Sequence, residues 1–383
     1  MISTQRLLFD LPEDEIYLNA AYMTPTPKAV AEAGIQGIKA KMNPAGIDQD
    51  YFFEAPSKVR SLFSEIVHGA DPDRIAIFPS VSYGMANVVR NIKSGYGNQI
   101  IVVEDQFPSA VYPWKENSHF EVTTIKLPSL YKNRGEKLTQ SILNAIEDRT
   151  AAVCLGTVLW TDGSRYDLIR IAEKCRKHGT LLIVDGTQSV GAMPFDLQTI
   201  RPDALICACY KWLLGPYGMA VGYLGEAFDD GQPIENNWIN RANSQDFTRL
   251  TDYDPTYRPK AQRYNMGEYS SFIHIAMMQK SLEMILNWGV TNIERYCAYL
   301  TAELYDSLSN SKIYWIEPDP HFRSNHIIGL HLLKDGMKDR LSSIFRERKI
   351  HVSLRGDSLR ISPHLYNTKK DIYQLMDVLL SQN

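Results

Sequence analysis

Six short apolar runs, separated by longer mixed segments, constrain the fold of this chain more than any other feature. They cover residues 74–78, 100–103, 150–155, 181–184, 204–208 and 219–224 and are rich in Ile, Val, Leu and Ala. Each is too short for a buried helix, so each predicts a buried strand. Residues 168–178, between two of these runs, carry an apolar stripe with helical spacing. This alternation predicts an α/β fold with a mostly parallel sheet and right-handed crossovers.

The pattern changes after about residue 270, which suggests a second structural unit. Helical spacing covers residues 271–288 and 292–308, and short strands then alternate with helices at 337–348 and 369–380. A chain of 383 residues with 44% hydrophobic residues can bury one large core and a smaller one. We therefore predict a large domain over residues 15–265 and a small α+β domain over residues 1–14 with 266–383.

Charge and cysteine content argue against several classes of partner. The net charge is −3, and no block of Lys and Arg favours nucleic acid or an anionic membrane surface. No apolar run approaches the roughly 20 residues of a membrane span, and the first 21 residues have no signal-peptide core. Five cysteines, an odd number, predict reduced thiols in a cytoplasmic protein. Cys207 and Cys209 lack a second pair or a histidine cluster, so no metal site is expected.

An acid and a lysine lie at the ends of neighbouring predicted strands. Asp185 follows the run 181–184, and Lys211 follows the run 204–208. In open α/β sheets, ligands bind at the carboxyl ends of the strands. Asp185 alone is equally well explained as a helix cap, and a single lysine is usually a surface charge. Lys211 is, however, embedded in apolar residues, where an unpaired ammonium is costly and a lowered pKa favours a Schiff-base nucleophile.

These residues lie in two ordered motifs that resemble those of a known family. Residues 184–196 read V-D-G-x-Q-S-x-G-x-x-P-x-D, and residues 210–218 read Y-K-W-L-x-G-P-x-G. Both resemble the class V aminotransferase family of pyridoxal-phosphate (PLP) enzymes, which includes cysteine desulfurases, selenocysteine lyases, kynureninases and isopenicillin N epimerase-like proteins. The resemblance implies the PLP-dependent transferase fold type I, with a mostly parallel seven-stranded sheet between helices and a smaller α+β C-terminal domain. It also implies a homodimer with its active site at the subunit interface and a small-molecule amino-acid substrate.

The resemblance assigns roles around the PLP ring. Lys211 is the residue expected to form a Schiff base with PLP, and Asp185 the residue that pairs with the protonated pyridine nitrogen. Gln188 falls where relatives have a Gln or His near the phenolic oxygen. Phe107 is expected against the ring face, as in kynureninases, which share its Phe-Pro-Ser run; the alternative is that it is a core residue.

The phosphate site is expected at the start of a helix that follows the run 74–78. There the family pattern falls on the backbone of Val81 and the hydroxyl of Ser82, although a Ser at a helix start is more often an ordinary cap. Tyr210 matches the tyrosine that reaches the phosphate in kynureninases. Trp238 is a weaker match to a phosphate-binding tryptophan that comes from the neighbouring subunit.

Substrate contacts are expected from the two ends of the chain. Arg360, in a segment that matches R-x-S/A-x-x-x-Y-N-T, is the residue that relatives use to hold the substrate α-carboxylate. Arg355 is a weaker alternative, because the sequence suggests an exposed loop. Asn19, in the entry segment Tyr-Leu-Asn-Ala-Ala, is a candidate substrate contact or else a turn residue.

Three departures from the family pattern bear on function. Glu268 stands where relatives have a phosphate-contacting Thr, and Trp160 stands near the usual Asn, so Gln188 or Asp162 is expected to compensate. No cysteine lies between residues 312 and 360, where desulfurases carry the cysteine that forms a persulfide. We therefore expect a β-lyase of the kynureninase or cysteine/selenocysteine lyase type, or an aminotransferase. The alternatives are an amino-acid epimerase and a non-catalytic binding protein with the same fold.

Overall fold

The computed structural model describes residues 2–130 and 133–382. Over these residues the strands are β1 (Ile16–Tyr17), β2 (Ile75–Phe78), β3 (Gln99–Val103), β4 (Glu121–Ile125), β5 (Thr150–Gly156), β6 (Leu181–Asp185), β7 (Ala204–Ala208), β8 (Ala220–Leu224), β9 (Tyr314–Trp315), β10 (Ile328–Leu332), β11 (Ile350–His351), β12 (Ser353–Arg355) and β13 (Ser358–Ile361). The helices are α1 (Lys28–Met42), α2 (Glu54–Ile66), α3 (Val81–Arg90), α4 (Tyr112–Lys115), α5 (Arg134–Ala145), α6 (Leu168–His178), α7 (Leu197–Ile200), α8 (Phe272–Trp288), α9 (Val290–Leu308), α10 (Met337–Glu347) and α11 (Lys369–Leu380).

A seven-stranded sheet forms the centre of the molecule, in the order β2-β8-β7-β6-β5-β3-β4. Strands β4, β3, β5, β6 and β7 are parallel, whereas β8 is antiparallel to both of its neighbours. The predicted α/β fold with a mostly parallel sheet is confirmed, and it is consistent with fold type I. All six apolar runs predicted as strands lie in this sheet.

Both faces of the sheet are buried, which explains why its strands read as continuous apolar runs. Along β3, Ile101 and Val103 belong to one hydrophobic cluster and Ile100 and Val102 to the other, on the opposite face. The exception is β4, whose residues are exposed or half-buried. It is an edge strand with polar residues, and it was not predicted.

The crossover helix α6 has the bounds that its sequence predicts. The Asp167 side chain caps its first turn by accepting a hydrogen bond from the backbone N–H of Arg170, at 3.0 Å. The helix ends at Gly179, whose φ of +65° favours a residue without a side chain. Its buried face, which includes Ile171 and Cys175, packs in the core.

A smaller antiparallel sheet, in the order β12-β13-β10-β9, is formed by the C-terminal part of the chain. The N-terminal strand β1 pairs in parallel with β11, with Ile16 opposite Ile350. Residues 16 and 17, which the predicted division placed in the large domain, thus pair with C-terminal residues; the division itself stays a prediction. Over the part of the chain that is described, no helix is long and apolar enough to cross a bilayer.

Candidate active site

The predicted acid and lysine lie in one cavity at the carboxyl ends of the central strands. Asp185 is the last residue of β6, and Lys211 follows three residues after β7. We call this space the lysine cavity. It is lined by seven of the predicted site residues, Lys211, Asp185, Gln188, Val81, Ser82, Phe107 and Tyr210.

Asp185 is a buried carboxyl group with few protein partners. Its Oδ1 accepts a hydrogen bond from the backbone N–H of Thr187, at 3.0 Å. Burial raises its pKa, and the Thr187 hydrogen bonds and the positive charge of Lys211 act in the opposite direction. The ionised form of an acid in this position is stabilised most by a cationic group inside the cavity.

Lys211 is 6% exposed, and its environment favours the neutral amine. Burial lowers its pKa to about 8; the charge of Asp185 opposes this shift, and Arg360 and Arg355 add to it. Its Nζ lies 5.4 Å from the centre of the Phe107 ring and 5.6 Å from that of Tyr210. The amine therefore lies near two aromatic rings and is a potential nucleophile or base.

The opposite end of the lysine cavity is the first turn of α3. Ser80 caps this helix by accepting a hydrogen bond from the backbone N–H of Tyr83, at 3.2 Å. The N–H groups of Val81 and Ser82, in the first turn, have no acceptor within the helix. The hydroxyl of Ser82 hydrogen-bonds to that of Ser109, at 2.9 Å, and both residues line the cavity. Free N–H groups and hydroxyls at a helix start suit a bound anion.

Gln188 connects the lysine cavity to the structure behind it. Its Nε2 donates to the backbone oxygen of Ala21, at 3.0 Å, and its Oε1 accepts from the indole N–H of Trp212, at 2.9 Å. An amide nitrogen carries two N–H groups, so one remains for a ligand in the cavity.

A second space, which we call the arginine cavity, adjoins the first. It shares Phe107, Trp160, Tyr210, Lys211 and Tyr217 with the lysine cavity and adds two cations, Arg355 and Arg360, and residues 21–23. The two cavities therefore form one continuous site with Lys211 between them.

Among the residues that the structure describes, the Arg360 side chain makes one hydrogen bond. Its Nη1 donates to the backbone oxygen of Trp160, at 2.7 Å, whereas its Nε is buried without a partner. Burial, with a contribution from Arg355, lowers its pKa to about 9. A guanidinium group with an unused N–H inside a cavity is suited to bind a carboxylate.

Comparison with known proteins assigns this site to a family. The family model for aminotransferase class-V matches residues 16–375. The chain belongs to the aminotransferase class-V family.

Two curated relatives illustrate the family's range of names. The uncharacterized aminotransferase YcbU of Bacillus subtilis strain 168 is 25% identical over 324 residues, covering 84% of this chain and 82% of that protein. A probable cysteine desulfurase of Staphylococcus aureus strain Mu50 is 27% identical over 316 residues, covering 78% of this chain and 72% of the relative.

Two solved structures share the fold at lower identity. The cystine C-S lyase C-DES, in complex with its reaction product cysteine persulfide, superposes with a TM-score of 0.81 at 18% identity, covering 96% of this chain and 97% of that one. The cysteine desulfurase CsdA of Escherichia coli superposes with a TM-score of 0.79 at 18% identity, covering 98% of this chain and 96% of that one.

The class-V enzyme uses PLP, and the lysine cavity fits this cofactor. Asp185 offers the buried carboxylate that a pyridinium nitrogen needs, and Lys211 offers an amine that is easily deprotonated. The start of α3, with Val81 and Ser82, offers the donors that a phosphate needs. The three groups of the cofactor thus have chemically matched partners in one cavity.

Neither the lysine cavity nor the arginine cavity is lined by Asn19, Trp238 or Glu268. Asn19 lines a neighbouring cavity, and its Oδ1 accepts a hydrogen bond from the Ser353 hydroxyl, at 2.7 Å. Trp238 packs in an aromatic cluster with Phe52 and Phe247, and exposed Glu268 lines the same surface cavity as Trp238. The substrate role of Asn19 and the role of Trp238 across a dimer interface stay predictions.

Of the two residues expected to compensate for the unusual Trp160, Gln188 lines the lysine cavity and stays a prediction, whereas Asp162 does not line it. Asp162 is buried in a network in which its Oδ2 contacts Arg134 Nη1 at 2.8 Å and His331 Nε2 at 2.9 Å. Burial opposes ionisation of Asp162, but the His331 hydrogen bond and the Arg134 charge lower its pKa to about 2. The Asp162 carboxylate therefore connects β10, through His331, to the loops of the large sheet, and it lines neither cavity.

Sequence reasoning undervalued Arg355 and Trp160. Arg355 lies on β12, half-buried in the arginine cavity, and not in an exposed loop. The overlooked signal was the spacing of Arg355 and Arg360 around Gly356-Asp357, which is typical of a tight hairpin. Trp160 lines both cavities and binds Asp105 O through its indole N–H, at 2.6 Å.

Proposed function

We propose that this class-V enzyme acts on an α-amino acid and that its reaction is a β-elimination or a related β-lyase step. The observation that carries the proposal is that Arg360 and Lys211 line one cavity, whose described lining residues include no Asp or Glu to pair with the arginine. An α-carboxylate bound there would bring the rest of the substrate next to the lysine.

In this proposal each residue has a distinct task. PLP, when bound, supplies an electron sink for the bonds at the substrate Cα. Lys211, with a pKa of about 8, removes the proton at Cα near neutral pH, and the leaving group then departs from Cβ with the electron pair of its bond. Asp185 stabilises the positive charge on the pyridine nitrogen. Arg360 binds the substrate α-carboxylate through the N–H donors of its guanidinium group. The rings of Phe107 and Tyr210, 5.4 Å and 5.6 Å from Lys211 Nζ, reduce its contact with water.

A β-lyase is favoured over a desulfurase that works through an enzyme persulfide. All five cysteines are buried, and none of them lines the lysine cavity or the arginine cavity. Burial also raises the pKa of Cys209 and Cys207 far above that of a reactive thiol. Sulfur or another leaving group would therefore depart as a free species.

We also propose that the chain works as a homodimer in the cytoplasm. Trp238 supports the dimer, because it lies 41% exposed outside the lysine cavity of its own chain, where a second subunit can reach it. The five free cysteines support a reducing compartment. Sedimentation of the purified protein across a concentration series tests the dimer directly.

The function is tested by adding alanine, cysteine, selenocysteine and kynurenine to the PLP-loaded protein and identifying the products. Release of alanine or pyruvate with a β-leaving group supports the β-lyase. A keto acid with transfer of the amino group would identify an aminotransferase, and the opposite enantiomer an epimerase. PLP binding without turnover of any amino acid would contradict the proposal and favour a binding protein.

A further inference from the structure

Two arginines project from the same face of one β-hairpin into the arginine cavity. In the pairing of β12 with β13, Ser353 is opposite Arg360 and Arg355 is opposite Ser358. Residues two apart on a strand share a face, so Arg355 is the diagonal neighbour of Arg360 on the same face. Both line the cavity. The hairpin therefore presents two guanidinium groups to one space.

Neither guanidinium group is neutralised by the protein there. The described residues that line the arginine cavity include no Asp or Glu. Within the described part of the chain, the Nε atoms of Arg355 and Arg360 are buried without a hydrogen-bond partner, and Arg355 Nη1 donates to its neighbour's backbone oxygen, Leu354 O, at 3.1 Å. Two like charges in a half-buried space repel each other unless anions are bound between or beside them.

Trp160 lies near both cations. The guanidinium carbon of Arg355 lies 5.7 Å from the centre of the Trp160 ring, and that of Arg360 lies 5.8 Å from it. Arg360 Nη1 also donates to the Trp160 backbone oxygen, at 2.7 Å. Both guanidinium groups therefore lie close to the same indole.

A single bound anion would leave one of the two guanidinium groups without a partner. An α-carboxylate occupies Arg360 in the proposed function, and the donors suited to a phosphate lie at Val81 and Ser82, which line the lysine cavity but not the arginine cavity. Arg355 also lines this cavity and has no carboxylate partner among the described lining residues, so its charge remains available to the substrate side chain.

We propose that the substrate is an acidic α-amino acid, whose side chain ends in a carboxylate, sulfinate or sulfonate that binds Arg355. This inference rests on the proposed function and specifies its substrate class. Arg355 would then select the substrate side chain, while Arg360 recognises the part common to all α-amino acids.

The test compares acidic amino acids with neutral analogues on the PLP-loaded full chain. The pairs are aspartate with asparagine, glutamate with glutamine, and cysteine sulfinate with cysteine. The wild type is expected to favour the acidic member of at least one pair by more than about tenfold in kcat/KM. In Arg355→Gln, that ratio is expected to fall by about 10- to 100-fold, the effect of losing a charged hydrogen bond. Arg355→Lys, which keeps the charge, is expected to recover part of the ratio.

Two results would overturn the inference while leaving the proposed function intact. One is a wild-type preference for neutral amino acids, which needs no variant. The other is an equal loss for both members of each pair in Arg355→Gln, which would mean that both arginines hold the α-carboxylate. If no amino acid, acidic or neutral, changes the PLP absorbance, the proposed function itself fails and this inference with it. Retention of the wild-type PLP band by each variant controls for folding.

Discussion

Two buried arginines in this protein are used in opposite ways. Arg134 is 3% exposed, and its Nη1 donates to Asp162 at 2.8 Å and to Ser164 at 2.9 Å, while its Nε donates to Pro128 O at 3.2 Å. Arg360 is 1% exposed, but over residues 2–130 and 133–382 its side chain has one acceptor, a backbone oxygen, and its Nε has none.

The difference separates a structural charge from a functional one. A buried charge that is fully hydrogen-bonded holds elements together, and removing a partner costs stability. A buried charge that lacks acceptors weakens the fold and is expected where a ligand will supply them. The comparison therefore predicts that changes in the Arg134 network impair folding and that changes in the two cavities impair chemistry.

The largest effect is expected for Lys211→Ala. Without the amine, the proton at Cα has no base, so turnover of any amino acid is expected to fall by about 10⁴-fold. Folding of Lys211→Ala is expected to be unimpaired, because Lys211 is a desolvated cation without a hydrogen-bond partner in the part of the protein described here. Turnover assays and urea denaturation measure the two effects. Residual activity within tenfold of the wild type would exclude Lys211 as the base.

Asp162→Asn is expected to lower the free energy of unfolding by about 3–5 kcal/mol, because it leaves Arg134 buried without its counter-ion. Urea denaturation of the PLP-free protein measures this. Replacing exposed Asp148, which is bonded to His178 on the surface, is the matched control and is expected to cost less than about 1 kcal/mol. Equal stability of both variants would contradict the claim that the Arg134 network stabilises the fold.

Arg360→Met is expected to lower kcat/KM for α-amino acids by about 10²-fold through loss of the carboxylate partner. Its stability is expected to stay the same or increase, because an undersatisfied cation is replaced by an apolar side chain of similar length. Steady-state kinetics and denaturation give both values. A variant that loses stability like Asp162→Asn would show that Arg360 belongs with the structural charges.

The lowered pKa of Lys211 predicts how PLP capture by the PLP-free protein depends on pH. The neutral amine is the reactive form, so the rate is expected to rise as pH increases through about 8, whereas an ordinary lysine has a pKa of 10.5. The charge of Asp185 opposes this lowering, so Asp185→Asn is expected to move the midpoint to lower pH. Stopped-flow absorbance at a series of pH values measures it. A midpoint near 10.5 would show that Lys211 is not desolvated.

The smallest effect is expected for Ser82→Ala. Loss of one hydroxyl donor is expected to weaken PLP binding by about 3- to 10-fold, because the N–H groups at the start of α3 remain. Ser109→Ala, which removes the hydrogen-bond partner of Ser82, is the matched variant and is expected to have a smaller effect. Titration of PLP-free protein with PLP measures both. An equal or larger effect of Ser109→Ala would place the phosphate elsewhere.

The sequence predicted the fold and the lysine cavity well because both depend on local patterns. Buried parallel strands are continuous apolar runs; Asp185 is the last residue of one of them, and Lys211 comes three residues after another. The motif that carries Lys211 is also contiguous, so its chemistry could be derived from neighbouring residues.

The arginine cavity was harder to predict because it is assembled from distant segments. Trp160 and Arg360 are 200 residues apart, and only the folded chain shows the hydrogen bond between them. The position of Asn19 depends on its pairing with Ser362 and on the Ser353 hydroxyl, neither of which is signalled by the sequence around it. Strand β4 was missed because, at the sheet edge, it lacks the apolar run that identifies a buried strand.

The proposed function depends most on Arg360 holding a substrate carboxylate beside a lysine that binds PLP. It is tested by titrating the PLP-loaded protein with aspartate and with β-alanine, which is aspartate without its α-carboxylate, while following the visible absorbance of the cofactor. We predict a saturable change with aspartate at concentrations at least about 10²-fold below those needed for β-alanine. Equal responses to the two compounds, or no visible band after PLP is added, would contradict the account.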